Sequence, residues 1–178
     1  IFDLSLTNVA NKVAYASGYG IVLAGLTFTY HFPLRRKTAF WESLSIWIGA
    51  SAIIFLSFTD VISGHVVIGA NGGLEYTTAP LLWTYIVGFL VTVALLSRNL
   101  LTIPRSEGKT KRSQARFILY AFSSSALLGL LLNVILPLLG TTWDTTRFGP
   151  LVTVILVTIL AYTIIRHGLF DIRLAVVR

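Results

Sequence analysis

Arg98-Asn99-Leu100-Leu101-Thr102-Ile103-Pro104-Arg105-Ser106-Glu107-Gly108-Lys109-Thr110-Lys111-Arg112-Ser113-Gln114-Ala115-Arg116 carries six of the fourteen Lys and Arg residues in this 178-residue chain. Residues 76–97 before it and 117–143 after it contain no charged side chain. A short cationic segment between two long uncharged runs reads as a cytoplasmic loop joining two membrane-spanning helices, because Lys and Arg accumulate on that side of a bilayer.

The same alternation continues in both directions. Residues 13–34, 43–59 and 148–165 are also free of charge. Arg35, Arg36 and Lys37 separate the first two runs, and Arg166, Arg173 and Arg178 follow the last. Only Lys12 and Arg147 lie outside the three basic clusters. Crossing a hydrocarbon core of about 30 Å takes roughly 20 helical residues. The five runs therefore predict five spans, near 9–32, 41–63, 81–101, 116–139 and 148–166. With twelve cations on one side and two on the other, the N-terminus is expected outside and the C-terminus in the cytoplasm. The expected fold class is all-α, a polytopic transmembrane helix bundle in the inner (cytoplasmic) membrane. Residues 1–166 form the bundle, and 167–178 begin a cytoplasmic linker helix.

Composition agrees. Hydrophobic residues make up 55% of the chain and charged residues 12%, against about 25% charged in soluble domains. The net charge of +7 would suggest nucleic acid in a soluble protein. Here the cations mark one face and meet anionic headgroups, so the lipid bilayer is the expected partner and nucleic acid is not. There is no Cys, which excludes disulfides, thiol catalysis and thiolate metal sites. The chain opens at Ile1 and has no Met, so a processed or partial product is expected. No cleavable signal peptide is visible.

Within the spans, Gly18, Gly20 and Gly25, with Ala16, predict a close-packing face on the first helix, and Ser45 with Gly49 repeats the pattern on the second. Asn71-Gly72-Gly73 between Val66-Val67-Ile68 and residues 74–78 predicts a short hairpin at the membrane surface. Ser123, Ser124 and Ser125 are expected to permit close packing or to bond back to the preceding turn. Pro137 is expected to kink or end the fourth span.

Polar groups within lipid usually face the bundle interior. Asp60 and Asn133 are therefore the candidate ligand-binding residues, lining an outward-open pocket with Trp83, Tyr85 and Glu75. The structural alternative has Asp60 reaching interfacial water and Asn133 bonding a neighbouring helix. No metal or other cofactor is expected. His31 and His65 fall at opposite ends of the spans, and no ligand cluster is visible. A retinal Schiff base would need a Lys in the middle of a span, and none has one; Lys12 lies at the outer entry of the first. No catalytic residues are found.

Residues 113–119, the Asn133-Val134-Ile135-Leu136-Pro137 run, Phe148-Gly149-Pro150 and the exit Ala161-Tyr162-Thr163-Ile164-Ile165-Arg166-His167-Gly168-Leu169-Phe170-Asp171-Ile172-Arg173 together resemble the N-terminal seven-transmembrane sensor region of bacterial membrane histidine kinases. Phe28 to Pro33 is similar to that family's Phe-x-x-x-Phe-Pro span exit. Five spans stand where the family has seven, so the chain would supply the last five. The resemblance implies a sensory input module of a two-component system, working as a homodimer. Arg166, His167, Leu169, Phe170, Asp171 and Arg173 would relay helix displacement to an output domain C-terminal to Arg178. A transporter or channel subunit, or a structural subunit of a membrane complex, are the rival expectations. The first would need midplane charges or an inverted repeat, and neither is visible.

Overall fold

The computed structural model describes residues 4–31, 40–68, 74–77, 79–104, 108–139 and 149–167. Helix α1 runs Leu4–His31, α2 Phe40–Ser57 and the single turn α3 Asp60–Ser63. A two-stranded hairpin follows, β1 Val66–Ile68 with β2 Leu74–Tyr76. Helix α4 runs Leu82–Leu101 and α5 Gly108–Leu130. The latter continues through a π-helical turn, Leu131–Ile135, into the short α6 Leu136–Leu138. Helix α7, Gly149–His167, packs antiparallel along α5. The architecture is helical, and the helices alternate between a hairpin end and a basic end.

The predicted hairpin is present, antiparallel with Val66 opposite Tyr76 and Glu75 opposite Val67. Gly64 starts it with φ 63°, and a Cβ there would run into the Thr77 carbonyl. Only glycine suits that backbone. Two asparagines of α1 hold this end by reading main-chain groups. The Val66 amide donates to Asn8 Oδ1 at 2.7 Å, and Asn11 Nδ2 donates to the Ser63 carbonyl at 3.0 Å.

Helix boundaries depart from the expected spans in two places. The second span does not continue to Ser63, because α2 stops at Ser57. The Ser57 and Thr59 hydroxyls donate to the Ile53 and Leu56 carbonyls, and the backbone tightens into a turn at Phe58 and Thr59. Such local bonds compete with the helical ladder. Nor is the cationic segment a loop throughout, since α5 already starts at Gly108. Lys, Arg, Gln and Ala are good helix formers, and here they extend the helix past the apolar run. By length and composition, two of the described helical segments are long and apolar enough to cross a membrane, 82–101 and 111–135. The apolar segment 43–57 is shorter.

Helix α4 is central, packing against α1, α2 and α5. Its buried face, including Leu82, Tyr85, Phe89, Thr92, Leu96 and Asn99, follows three- and four-residue spacing. Its opposite face exposes Trp83, Val87, Leu90 and Val91. Large apolar side chains are likewise exposed on α2, α5 and α7, among them Trp47, Phe55, Leu127, Val154 and Val157. Extended apolar exteriors of this kind mark contact with lipid or a partner. Glycine allows the closest approaches. A Cβ on Gly25 would lie 2.5 Å from Phe122 and 3.0 Å from Leu96, and one on Gly88 would lie 2.5 Å from Ile53. Of the other expected small residues, Ala16 is buried and a Cβ on Gly18 would lie 3.5 Å from Tyr85 Oη, whereas Gly20 and Gly49 have nothing within 4 Å; Ser45 donates to the Trp41 carbonyl of its own helix.

Between helices the buried polar side chains pair. Tyr19 Oη meets Thr92 Oγ1 at 3.1 Å, Asn99 Nδ2 donates to Thr29 Oγ1 at 3.1 Å, and the Ser97 and Ser123 hydroxyls lie 3.3 Å apart. Each such bond contributes about 0.6–2 kcal/mol in lipid.

Candidate functional site

A cavity of about 470 Å³ lies in the hairpin half of the bundle, walled by α1, α4, α5 and α7. Its α5 wall is a single helical face. Phe122, Ser125, Ala126, Gly129, Leu130, Asn133 and Val134 recur at intervals of three and one. Gly129 keeps this wall low, with Val152 of α7 the only side chain near it, 3.7 Å from where its Cβ would be. The α4 wall presents Tyr85 and Phe89, α7 presents Val152, Thr153 and Leu156, and α1 contributes residues from Thr7 to Val22. No Asp, Glu, Lys or Arg is among the described lining residues.

Two of the sequence-predicted residues meet here. Tyr85 is buried, donates to the Tyr15 carbonyl at 3.1 Å and stacks edge-on against the Tyr15 ring at 5.1 Å. Asn133 lines the cavity in the middle of the π-helical turn. Among the described residues it bonds no neighbouring helix. Its Nδ2 donates to the Gly129 carbonyl of its own helix at 2.9 Å. The widened turn has a cause in the sequence: Pro137 has no amide proton to give the Asn133 carbonyl, so the helical ladder must change step before it. Turns of this type recur at functional sites.

The other candidates lie apart. Asp60 is not a cavity residue. Its Oδ1 is 2.7 Å from Lys12 Nζ, and its Oδ2 is 3.4 Å from His65 Nε2. The Lys12 hydrogen bond holds the Asp60 carboxyl below its ordinary range. It outweighs a desolvation that pushes the other way, and His65 adds to the lowering. Sequence reading did not pair Asp60 with Lys12; the packing of α1 against α3 brings them together. Trp83 is 65% exposed on the outer face of α4 and turns away from the cavity residues. Glu75 sits in β2. Of the relay residues, Arg166 and His167 end α7. Leu169, Phe170, Asp171 and Arg173 lie outside the described residues. Among the described residues no cluster of His, Cys, Asp or Glu is arranged to hold a metal.

The residue that sequence reasoning passed over is Ser125. The three consecutive serines have three different fates. Ser123 faces Ser97 of α4, and Ser124 bonds back to the Tyr120 carbonyl. Ser125 is 6% exposed, lines the cavity and has no hydrogen-bond partner for its Oγ among the described residues. Its four-residue steps to Gly129 and Asn133 were the available signal. No protein-family model, curated protein or solved structure matches this chain.

Proposed function

We propose that the chain is a five-span sensory input module of the bacterial inner membrane, probing its outer face and passing a helix displacement to a cytoplasmic output domain. The observation that carries this reading is the position of the cavity. It lies in the hairpin half, away from the basic clusters, and α7 forms one of its walls. The same helix runs on to Arg166 and His167 at the other end. An occupant that favours one packing of α7 against α5 would shift that helix without any chemistry. The charge pattern supports five crossings with the hairpin outside. The apolar outer faces of α2, α4, α5 and α7 support immersion in lipid. The similarity of residues 161–173 to the sensor-kinase exit supports the kind of output.

Two measurements test it. The chain has no cysteine, so single substitutions can be labelled cleanly in sealed cells. Lys109→Cys should resist an impermeant maleimide applied outside, and Val67→Cys should react; the reverse pattern overturns the orientation. In membranes holding the full-length gene product, a Gly129→Cys/Val152→Cys crosslink should fix autophosphorylation at one level. Autophosphorylation that is absent, or indifferent to the crosslink, overturns the relay.

A further inference from the structure

We propose that the cavity binds a small uncharged amphiphile, with an apolar body among Phe89, Phe122 and Leu156 and one hydrogen-bond acceptor meeting the Ser125 hydroxyl. This deepens the sensor reading by naming the chemical class of the stimulus, although occupancy itself does not require that reading to hold. The volume of about 470 Å³ falls within the range of roughly 300–1,000 Å³ typical of small-molecule sites.

Several polar side chains around the cavity are already committed within the protein. Tyr85 is bonded to Tyr15, Asn11 to Ser63 and Ser17 to Ala14. Ser125 is buried in the same wall, and its Oγ has no hydrogen-bond partner among the described residues. A helical serine in apolar surroundings ordinarily donates back to the preceding turn, as Ser124 does next to it. A buried donor left unmade is destabilising, and an acceptor on a ligand relieves it. Asn133, two four-residue steps along the same wall, turns its amide nitrogen to the Gly129 carbonyl and leaves its Oδ1 without a protein partner among the described residues. The cavity thus offers the Ser125 hydroxyl and, farther along, the Asn133 Oδ1, with the Thr153 hydroxyl on the α7 side, on a largely apolar floor. Its described lining offers no charge to compensate an ionic ligand. Lys12 and Asp60, at the same end, are engaged with each other. A carboxylate or ammonium entering here would lose its hydration without a counter-ion. The occupant is therefore neutral.

The test uses the full chain in phosphatidylcholine nanodiscs and two photoreactive probes, decanamide carrying a diazirine on its acyl chain and the matching carboxylate at pH 8. Crosslinks are mapped by mass spectrometry. The amide should label residues 7–22 and 122–134 saturably, at a half-saturating concentration at least tenfold below that of the carboxylate. Ser125→Ala should raise that concentration about fivefold, the loss of one ordinary hydrogen bond. Ser17→Phe, which fills the cavity from the exposed side of α1, should abolish saturable labelling at an unchanged melting temperature. Labelling that never saturates, that is indifferent to both substitutions, or that falls on Val87, Val91 and Val154 instead would mean annular lipid contact and overturn the site. So would crosslinks between two copies across this face. Saturable labelling in a protein whose output ignores the α5–α7 crosslink keeps the site and discards the relay.

Discussion

Replacing Gly25 by alanine sets two known effects against each other. In a helix interior, Gly→Ala stabilises by roughly 0.5–1 kcal/mol, because alanine loses less backbone freedom on folding. At Gly25 the new methyl would sit 2.5 Å and 2.7 Å from two carbons of the Phe122 ring and 3.0 Å from Leu96 Cδ1. Carbon atoms are comfortable at about 3.5–4.0 Å, so the ring must retreat by roughly 1 Å from a packed interface. Overpacking of that size costs about 1–3 kcal/mol. The net expectation is destabilisation by up to about 2.5 kcal/mol. Gly20→Ala on the same helix is the control, since nothing lies within 4 Å of its added Cβ. It should keep the helix gain and be neutral or stabilised. The difference between the two variants, measured by denaturant unfolding in mixed micelles with tryptophan fluorescence, isolates the clash. Adding Phe122→Leu to Gly25→Ala should recover part of the loss. A Gly25→Ala protein as stable as Gly20→Ala would refute the close approach of α1 to α5.

Three further outcomes follow from the same geometry. Asn99→Ala should destabilise by about 1 kcal/mol, and a double-mutant cycle with Thr29→Val should return a coupling of about 0.6–2 kcal/mol; a coupling near zero would mean the 3.1 Å bond between them contributes nothing. The depressed pKa of Asp60 gives stability that is present above its unfolded value of 3.8 and is lost as pH falls through the folded value. Lys12→Ala should move the folded pKa back up and shrink that acid-side loss, read by carboxyl carbon shifts against pH. Asn8→Ala should release the hairpin from α1, speeding amide exchange at Val66, whose proton it now accepts at 2.7 Å, by about 5- to 30-fold for a bond worth about 1–2 kcal/mol.

Much of the fold was legible because charge and hydropathy follow one-dimensional patterns. Charge-free runs placed the long helices, and Asn71-Gly72-Gly73 between two short apolar pieces placed the hairpin between the second and third of them. The site was only partly legible. Tyr85 and Asn133 were foreseeable as polar groups within apolar runs, but their separation from Trp83 and Asp60 was not. A helical position fixes a side chain's depth, while its direction depends on how that helix is rotated against its neighbours. Trp83 and Tyr85 are two residues apart, so they point to different sides of α4.

What the sequence determined by itself is the order of the long helices and the placement of the hairpin between the second and third, because both follow from one-dimensional patterns of charge, hydropathy and turn residues. Only the tertiary structure decided which glycine is a contact and which is empty, that Asp60 belongs to Lys12, and that one serine of three opens into a cavity. Those facts depend on distances of a few ångströms between helices far apart in the chain, and no local pattern encodes them.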